Sequence, residues 1–193
     1  MSVNKALYGA DDCVETGYAM SIGHRVIVVR SGVLPADHPD QLFLCTGGFG
    51  AGENPSGRAV FAVSLSTGEH CRWNRGDVIG TLKPELLPDE ARLYLSQIRP
   101  GGATDVKDPE YSGYCYLEDG RYSAGVWLRD PEEAVEYAAM QAPYQHRVQI
   151  TDRDDFTVME MTKGQITGIS REVWEAYKEK YLEPEQTGGM TMT

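Results

Sequence analysis

An α+β fold built as two small sheet-plus-helix units is what the chain predicts, and three observations carry that reading. Short β-branched or alternating segments bounded by Gly-containing turns fill most of the first hundred positions. Helical periodicity appears in only three places. Between the two regions, Arg99-Pro100-Gly101-Gly102-Ala103-Thr104 breaks all pattern close to the middle of the 193 residues. The units expected are 1–99, mainly β and closed by a helix, and 105–182, ordered β-β-α-β-β-α, with 183–193 a frayed tail.

In the first unit, His24 to Arg30 reads as a short buried strand, because Val26-Ile27-Val28-Val29 is β-branched throughout and bracketed by charge. Leu42 to Thr46 reads as a second strand, which runs into the glycine-rich loop Gly47 to Gly57. Arg58 to Ser66 alternates so that Ala59, Phe61, Val63 and Leu65 share one face. Thr67-Gly68 then turns the chain into a strand from Glu69 to Arg75. From Leu87 to Ile98 the period changes, and Leu87, Ala91, Tyr94, Leu95 and Ile98 form a helical stripe.

In the second unit, Tyr114 to Glu118 and Arg121 to Trp127 flank Asp119-Gly120, a strong hairpin signal. Asp130-Pro131-Glu132-Glu133 places a capping residue before a proline at the first helical position, and Val135, Ala138, Ala139 and Ala142 give that helix a thin apolar face, ended by Pro143. Gln145 to Thr151 and Phe156 to Thr162 predict another hairpin around Asp152-Arg153-Asp154-Asp155. Ser170 caps a last helix reaching Tyr181.

With 41% hydrophobic residues, a chain of this length buries about 70% of the surface its unfolded form exposes, so no disulfide or metal is needed to hold a core. The stretch Met1 to Glu15 has no apolar run of signal-peptide length, and the longest strongly apolar stretch, Val26 to Val29, is four residues; a cytoplasmic protein without membrane partners is expected. Cys13, Cys45, Cys71 and Cys115 contain no CxxC pair and are expected to be reduced. With His24, His38, His70 and His146 equally scattered, neither a metal nor a cofactor is expected.

Charge is unevenly divided. Residues 1–100 hold 9 Lys+Arg and 11 Asp+Glu, whereas 101–193 hold 9 and 18, so a net of -9 out of -11 belongs to the second half. That balance argues against general phosphate-backbone binding, which draws its affinity from Lys and Arg. The acids cluster at Glu118 and Asp119, at Glu132, Glu133 and Glu136, and at Asp152, Asp154 and Asp155. These eight are the candidate contacts for a basic partner protein, although turns and a helix amino terminus give each cluster a local reason too. The near-neutral half carries Arg58, Arg72 and Arg75, candidate phosphate contacts beside Trp73. Any direct nucleic-acid contact is expected there.

Catalytic signatures fail one by one. Gly52 to Gly57 has the glycine spacing of a phosphate loop, but Arg58-Ala59 stands where Lys and Ser or Thr are required. The Rossmann fingerprint fails because the third glycine of Gly48-Phe49-Gly50-Ala51-Gly52 comes one place early. No nucleophile elbow is present, and the aspartates at 152–155 lack the glycine of a calcium loop. If the chain is an enzyme, His70, Arg72, Arg75 and Asp77 beside the glycine-rich loop are the catalytic candidates.

At Gly48-Phe49-Gly50, Gly57-Arg58-Ala59-Val60-Phe61, Gly68 to Gly80 and Lys83-Pro84, the chain resembles small uncharacterised accessory proteins encoded on bacterial conjugative elements and phages. Gly125-Val126-Trp127-Leu128 through Glu160-Met161-Thr162-Lys163-Gly164 is similar to small α+β modules of the same elements. The resemblance implies a genetic neighbourhood of anti-restriction and anti-CRISPR functions, and it transfers no functional residue. The function expected is therefore inhibition of a bacterial defence nuclease by protein binding, the partner being a host protein that is basic and binds nucleic acid. A small nuclease or phosphate-handling hydrolase, and a structural or oligomerising module, are the alternatives.

Overall fold

The computed structural model describes residues 7–18, 20–37, 40–52, 57–100 and 106–182. The middle of the glycine-rich loop, most of the expected linker and the tail from residue 183 lie outside the described residues, as does His38. The architecture is α+β, with two antiparallel sheets and three α-helices among the described residues. Among the described residues no helix is long and apolar enough to cross a membrane.

The first sheet has six strands: β1 (Cys13–Thr16), β2 (Val26–Val29), β3 (Leu42–Gly48), β4 (Ala59–Ser64), β5 (His70–Asn74) and β6 (Val78–Leu82), in the order β1-β6-β2-β3-β4-β5. Strand β2 lies inside the sheet between β6 and β3, and all four of its residues are fully buried. An unbroken run of Val and Ile suits a strand covered on both faces. On one face Ile27 and Val29 join Phe43, Cys45, Val60, Ala62 and Val78, covered by Met20 and Ile22. On the other, Val26, Val28, Leu44, Leu65 and Leu82 enter a larger core.

The second sheet has five strands: β7 (Tyr111–Tyr116), β8 (Val126–Leu128), β9 (Arg147–Asp152), β10 (Thr157–Thr162) and β11 (Gln165–Ile169), ordered β11-β10-β9-β7-β8. Its inner residues Tyr111, Cys115, Val148, Ile150, Met159 and Met161 share that larger core with helices α1 (Asp89–Leu95), α2 (Pro131–Gln141) and α3 (Arg171–Tyr181). The seam is also polar. The Val26 backbone N–H donates to the Tyr144 hydroxyl at 2.8 Å, Gln141 donates to the Leu95 carbonyl at 2.8 Å, and the Tyr137 hydroxyl donates to the Ser96 carbonyl at 2.5 Å. Buried Arg99 pairs with buried Glu133.

Several expected elements form for the expected reasons. Asp130 caps α2 by accepting from the Glu133 N–H at 2.8 Å, with Pro131 at the first turn, and Ser170 caps α3. Gly120 takes φ +86 in the turn after β7. Leu87, Ala91 and Leu95 bury the predicted stripe, with Tyr94 and Ile98 packed beside them.

Other expectations are corrected. The alternation of Ala59, Phe61, Val63 and Leu65 does not set their burial: Val63 and Leu65 are buried, Phe61 is 48% exposed, and Val60 and Ala62 of the opposite face are buried. The larger core takes in Leu65 but stops short of Phe61. Helix α2 is not thin-faced, since Ala134, Tyr137, Met140 and Gln141 are buried along with Val135 and Ala138. Strand β11 extends the predicted β-β-α-β-β-α order by one strand, turned from β10 by Lys163 at φ 49 and Gly164 at φ 76. Strand β6 depends on Gly80, where a Cβ would sit 2.2 Å from the Glu15 carbonyl oxygen on the neighbouring strand β1.

Candidate interaction surface

Alternation along β7 divides its side chains. Tyr111 and Cys115 point into the core and Gly113 lies against the Tyr137 ring of α2, so Ser112, Tyr114 and Tyr116 face the other way. Register then assembles the outer face: Trp127 of β8 stands beside Ser112, Gln149 of β9 beside Tyr114, and Arg147 of β9 beside Tyr116. Beyond Arg147 and Gln149 stand Thr162 and Glu160 of β10.

The aromatic groups on this face are held by one another and by polar neighbours. The rings of Tyr116 and Tyr122 are 5.2 Å apart, and the Arg147 guanidinium lies over the Tyr116 ring at 4.1 Å from its centroid. Arg147 also reaches Glu160 at 3.6 Å. The Tyr116 hydroxyl donates to Gln149 at 3.1 Å, and Gln149 donates in turn to the Thr157 hydroxyl at 2.6 Å. Gly125 makes room for the Tyr114 ring, which a Cβ would meet at 2.4 Å. Trp127 and Tyr122 nevertheless remain 62% and 59% exposed. Trp, Tyr and Arg are the side-chain types that dominate binding hot spots.

Acidic groups flank this row at both ends. The Glu118-Asp119 turn follows β7, with Asp119 accepting from the backbone and side chain of Arg121 at 3.0 and 2.7 Å; those bonds hold its carboxyl below the usual range. At the opposite end, where Tyr111 pairs with both Asp152 and Leu128, lie the β9–β10 turn and the start of α2. Asp152 accepts from the N–H groups of Asp154 and Phe156, leaving Asp154 and Asp155 exposed. Glu132 is exposed as well. Two of the predicted contacts are otherwise engaged. Glu133 is 3% exposed, pairs with Arg99 and accepts from the Arg129 N–H at 2.6 Å, so it is a structural residue and not a surface contact. Glu136 is half-buried, with Lys180 at 3.3 Å and His24 at 3.8 Å.

The predicted catalytic set is not brought together. His70 and Arg72 are exposed on edge strand β5, and Arg58 is exposed just before β4. Arg75 leaves the strand in a short 3-10 turn and is 1% exposed. There it donates to the Gly17 carbonyl and lies beneath the Tyr18 ring, 5.4 Å from its centroid. A cleft of about 450 Å³ is lined by Arg75, Gly76, Arg30, Gly17, Tyr18 and Val78, but not by His70, Arg72 or Asp77. Trp73 points into the smaller core against Phe43, its ring 5.1 Å away.

Among the described residues no three His, Cys, Asp or Glu side chains are grouped closely enough to hold a metal. Burial pushes the Cys45 thiol up to about 11 and the Cys115 thiol up to about 12, which leaves neither a thiolate nucleophile at neutral pH. No protein-family model, curated protein or solved structure matches the chain. The fold and the surface together define an α+β protein with an aromatic-centred sheet face on which Trp127 and Tyr122 are exposed among the described residues.

Proposed function

We propose that the chain is a binding protein, an accessory protein of a mobile element that inhibits a bacterial defence nuclease by docking on it through the outer face of the second sheet. The observation that carries this reading is the row between two acidic ends in which Trp127 and Tyr122 are exposed beside the half-buried Tyr116–Arg147 pair. An apolar-aromatic centre with a charged rim is the usual anatomy of a protein interface. A rim of Glu118, Asp119, Glu132, Asp154 and Asp155 selects a basic partner and speeds the encounter. Nucleases that hold nucleic acid present such surfaces. The hydrolase reading loses ground because His70 and Arg72 lie apart from the cleft that Arg75 lines.

The experiment is co-purification of the chain with candidate defence nucleases at low and moderate salt, paired with an assay for protection of incoming DNA in cells. A retained nuclease together with protected DNA supports the reading. Failure to retain any, with no protection, ends it.

A further inference from the structure

We propose that the cleft beside Arg75 is a binding site for a small phosphate-type dianion, a function separate from the sheet face. A guanidinium carries five N–H donors and stays charged at any physiological pH. That of Arg75 is almost completely buried and donates to the Gly17 carbonyl, yet its Nε–H has no partner among the described residues. No described carboxylate stands within ion-pair distance of it. A buried cation in that condition calls for an anion.

The cleft supplies the rest of a site. A second arginine, Arg30, lines the cleft, and its backbone N–H is tied to the Asp77 carbonyl at 2.8 Å, which fixes where that side chain starts. Tyr18 offers a hydroxyl at the rim: a Cβ on Gly76 would lie only 3.0 Å from it, so glycine there leaves the hydroxyl its place. Gly17, at φ +95, turns the chain to present that side chain. The exposed Tyr18 ring lies against the Arg75 guanidinium, so an anion reaching the buried Nε requires that ring to turn aside. Two lining arginines, whose side chains carry planar, fork-shaped cations, and no lining carboxylate match a doubly charged phosphate. A volume of about 450 Å³ exceeds what a free phosphate needs and falls in the range of small-molecule sites.

The test is calorimetric titration and thermal unfolding of the full chain at fixed ionic strength, with inorganic phosphate, adenosine monophosphate or chloride as the anion. Stabilisation by phosphate or by the monophosphate beyond that by chloride is expected, since a ligand that binds only the folded state raises its melting temperature. A larger effect of the monophosphate assigns a phosphomonoester, and a larger effect of inorganic phosphate assigns the free ion. Arg30→Gln, at an exposed position, is expected to leave the unliganded melting temperature unchanged and to weaken binding about tenfold. Arg75→Gln abolishes binding if it folds; if it does not, Arg30→Gln decides. Equal effects of all three anions, or undiminished phosphate binding by Arg30→Gln, overturn the proposal.

Discussion

The Arg147 guanidinium lies over the Tyr116 ring at 4.1 Å from its centroid, and the two residues are direct cross-strand partners of β9 and β7. The pair fixes two of the largest outer-face side chains before any partner arrives, which lowers the ordering cost of binding. Because it is partly exposed, it contributes little to the fold itself. Arg147→Ala is predicted to lower stability by less than about 1 kcal/mol, measured by urea denaturation, while weakening partner binding by more than that.

Helix α2 carries adjacent glutamates with opposite roles. Glu133 is buried against Arg99 and the Arg129 N–H, whereas Glu132 faces solvent. Glu133→Ala is predicted to cost about 3–5 kcal/mol, because it removes a buried carboxylate that pairs with the buried Arg99 guanidinium and accepts from the Arg129 N–H. Glu132→Ala is predicted to fall within about 0.5 kcal/mol of the parent. Urea midpoints of the two variants separate these outcomes.

Tyr144 joins the sheets by accepting the Val26 N–H at 2.8 Å from 118 positions away. Tyr144→Phe keeps the ring but leaves a buried backbone donor without its acceptor. The expected loss is about 1–3 kcal/mol. Hydrogen exchange at the Val26 amide should accelerate in the same variant.

Burial lowers the pKa of His24 below its ordinary value, only partly opposed by Glu136 at 3.8 Å, with Lys180 adding to the depression. The unfolded chain therefore binds a proton there more readily than the folded one. This makes stability rise with pH between the folded and unfolded pKa values and fall as pH drops below about 6.5. His24→Asn removes the titration while tolerating φ 54. Its stability curve is predicted to lie progressively above the parent's, relative to their difference at pH 8, as pH falls from 7 to about 5.

Local chemistry made much of this fold legible. Asp130-Pro131 and Ser170 announce helix starts by side-chain capping, and Asp119-Gly120 announces a hairpin, since each acts on its own neighbours. What escaped depends on distant partners. Gly80 looks like a strand breaker until β1 is seen to lie where its side chain would be. Lys163-Gly164 turns as tightly as Asn-Gly, but Lys is an uncommon residue at positive φ. The burial of Arg75 and Glu133 was invisible because charge marks surface in a sequence and pairing is three-dimensional. The candidate surface was half-visible: the predicted hairpin strands 114–118 and 121–127 contain Tyr116, Tyr122 and Trp127, but only the register places Arg147 beside Tyr116, and only the packing leaves Tyr122 and Trp127 exposed.

The central claim is that the outer face of the second sheet is where a partner docks, and Trp127 tests it most directly. That side chain is 62% exposed, so Trp127→Ala should leave the melting temperature within about 2 °C of the parent. Retention of a defence nuclease by the parent and by Arg72→Ala, together with its loss in Trp127→Ala, is the predicted result. Undiminished retention by Trp127→Ala, or loss only on substituting Arg72 in the first sheet, would contradict the account.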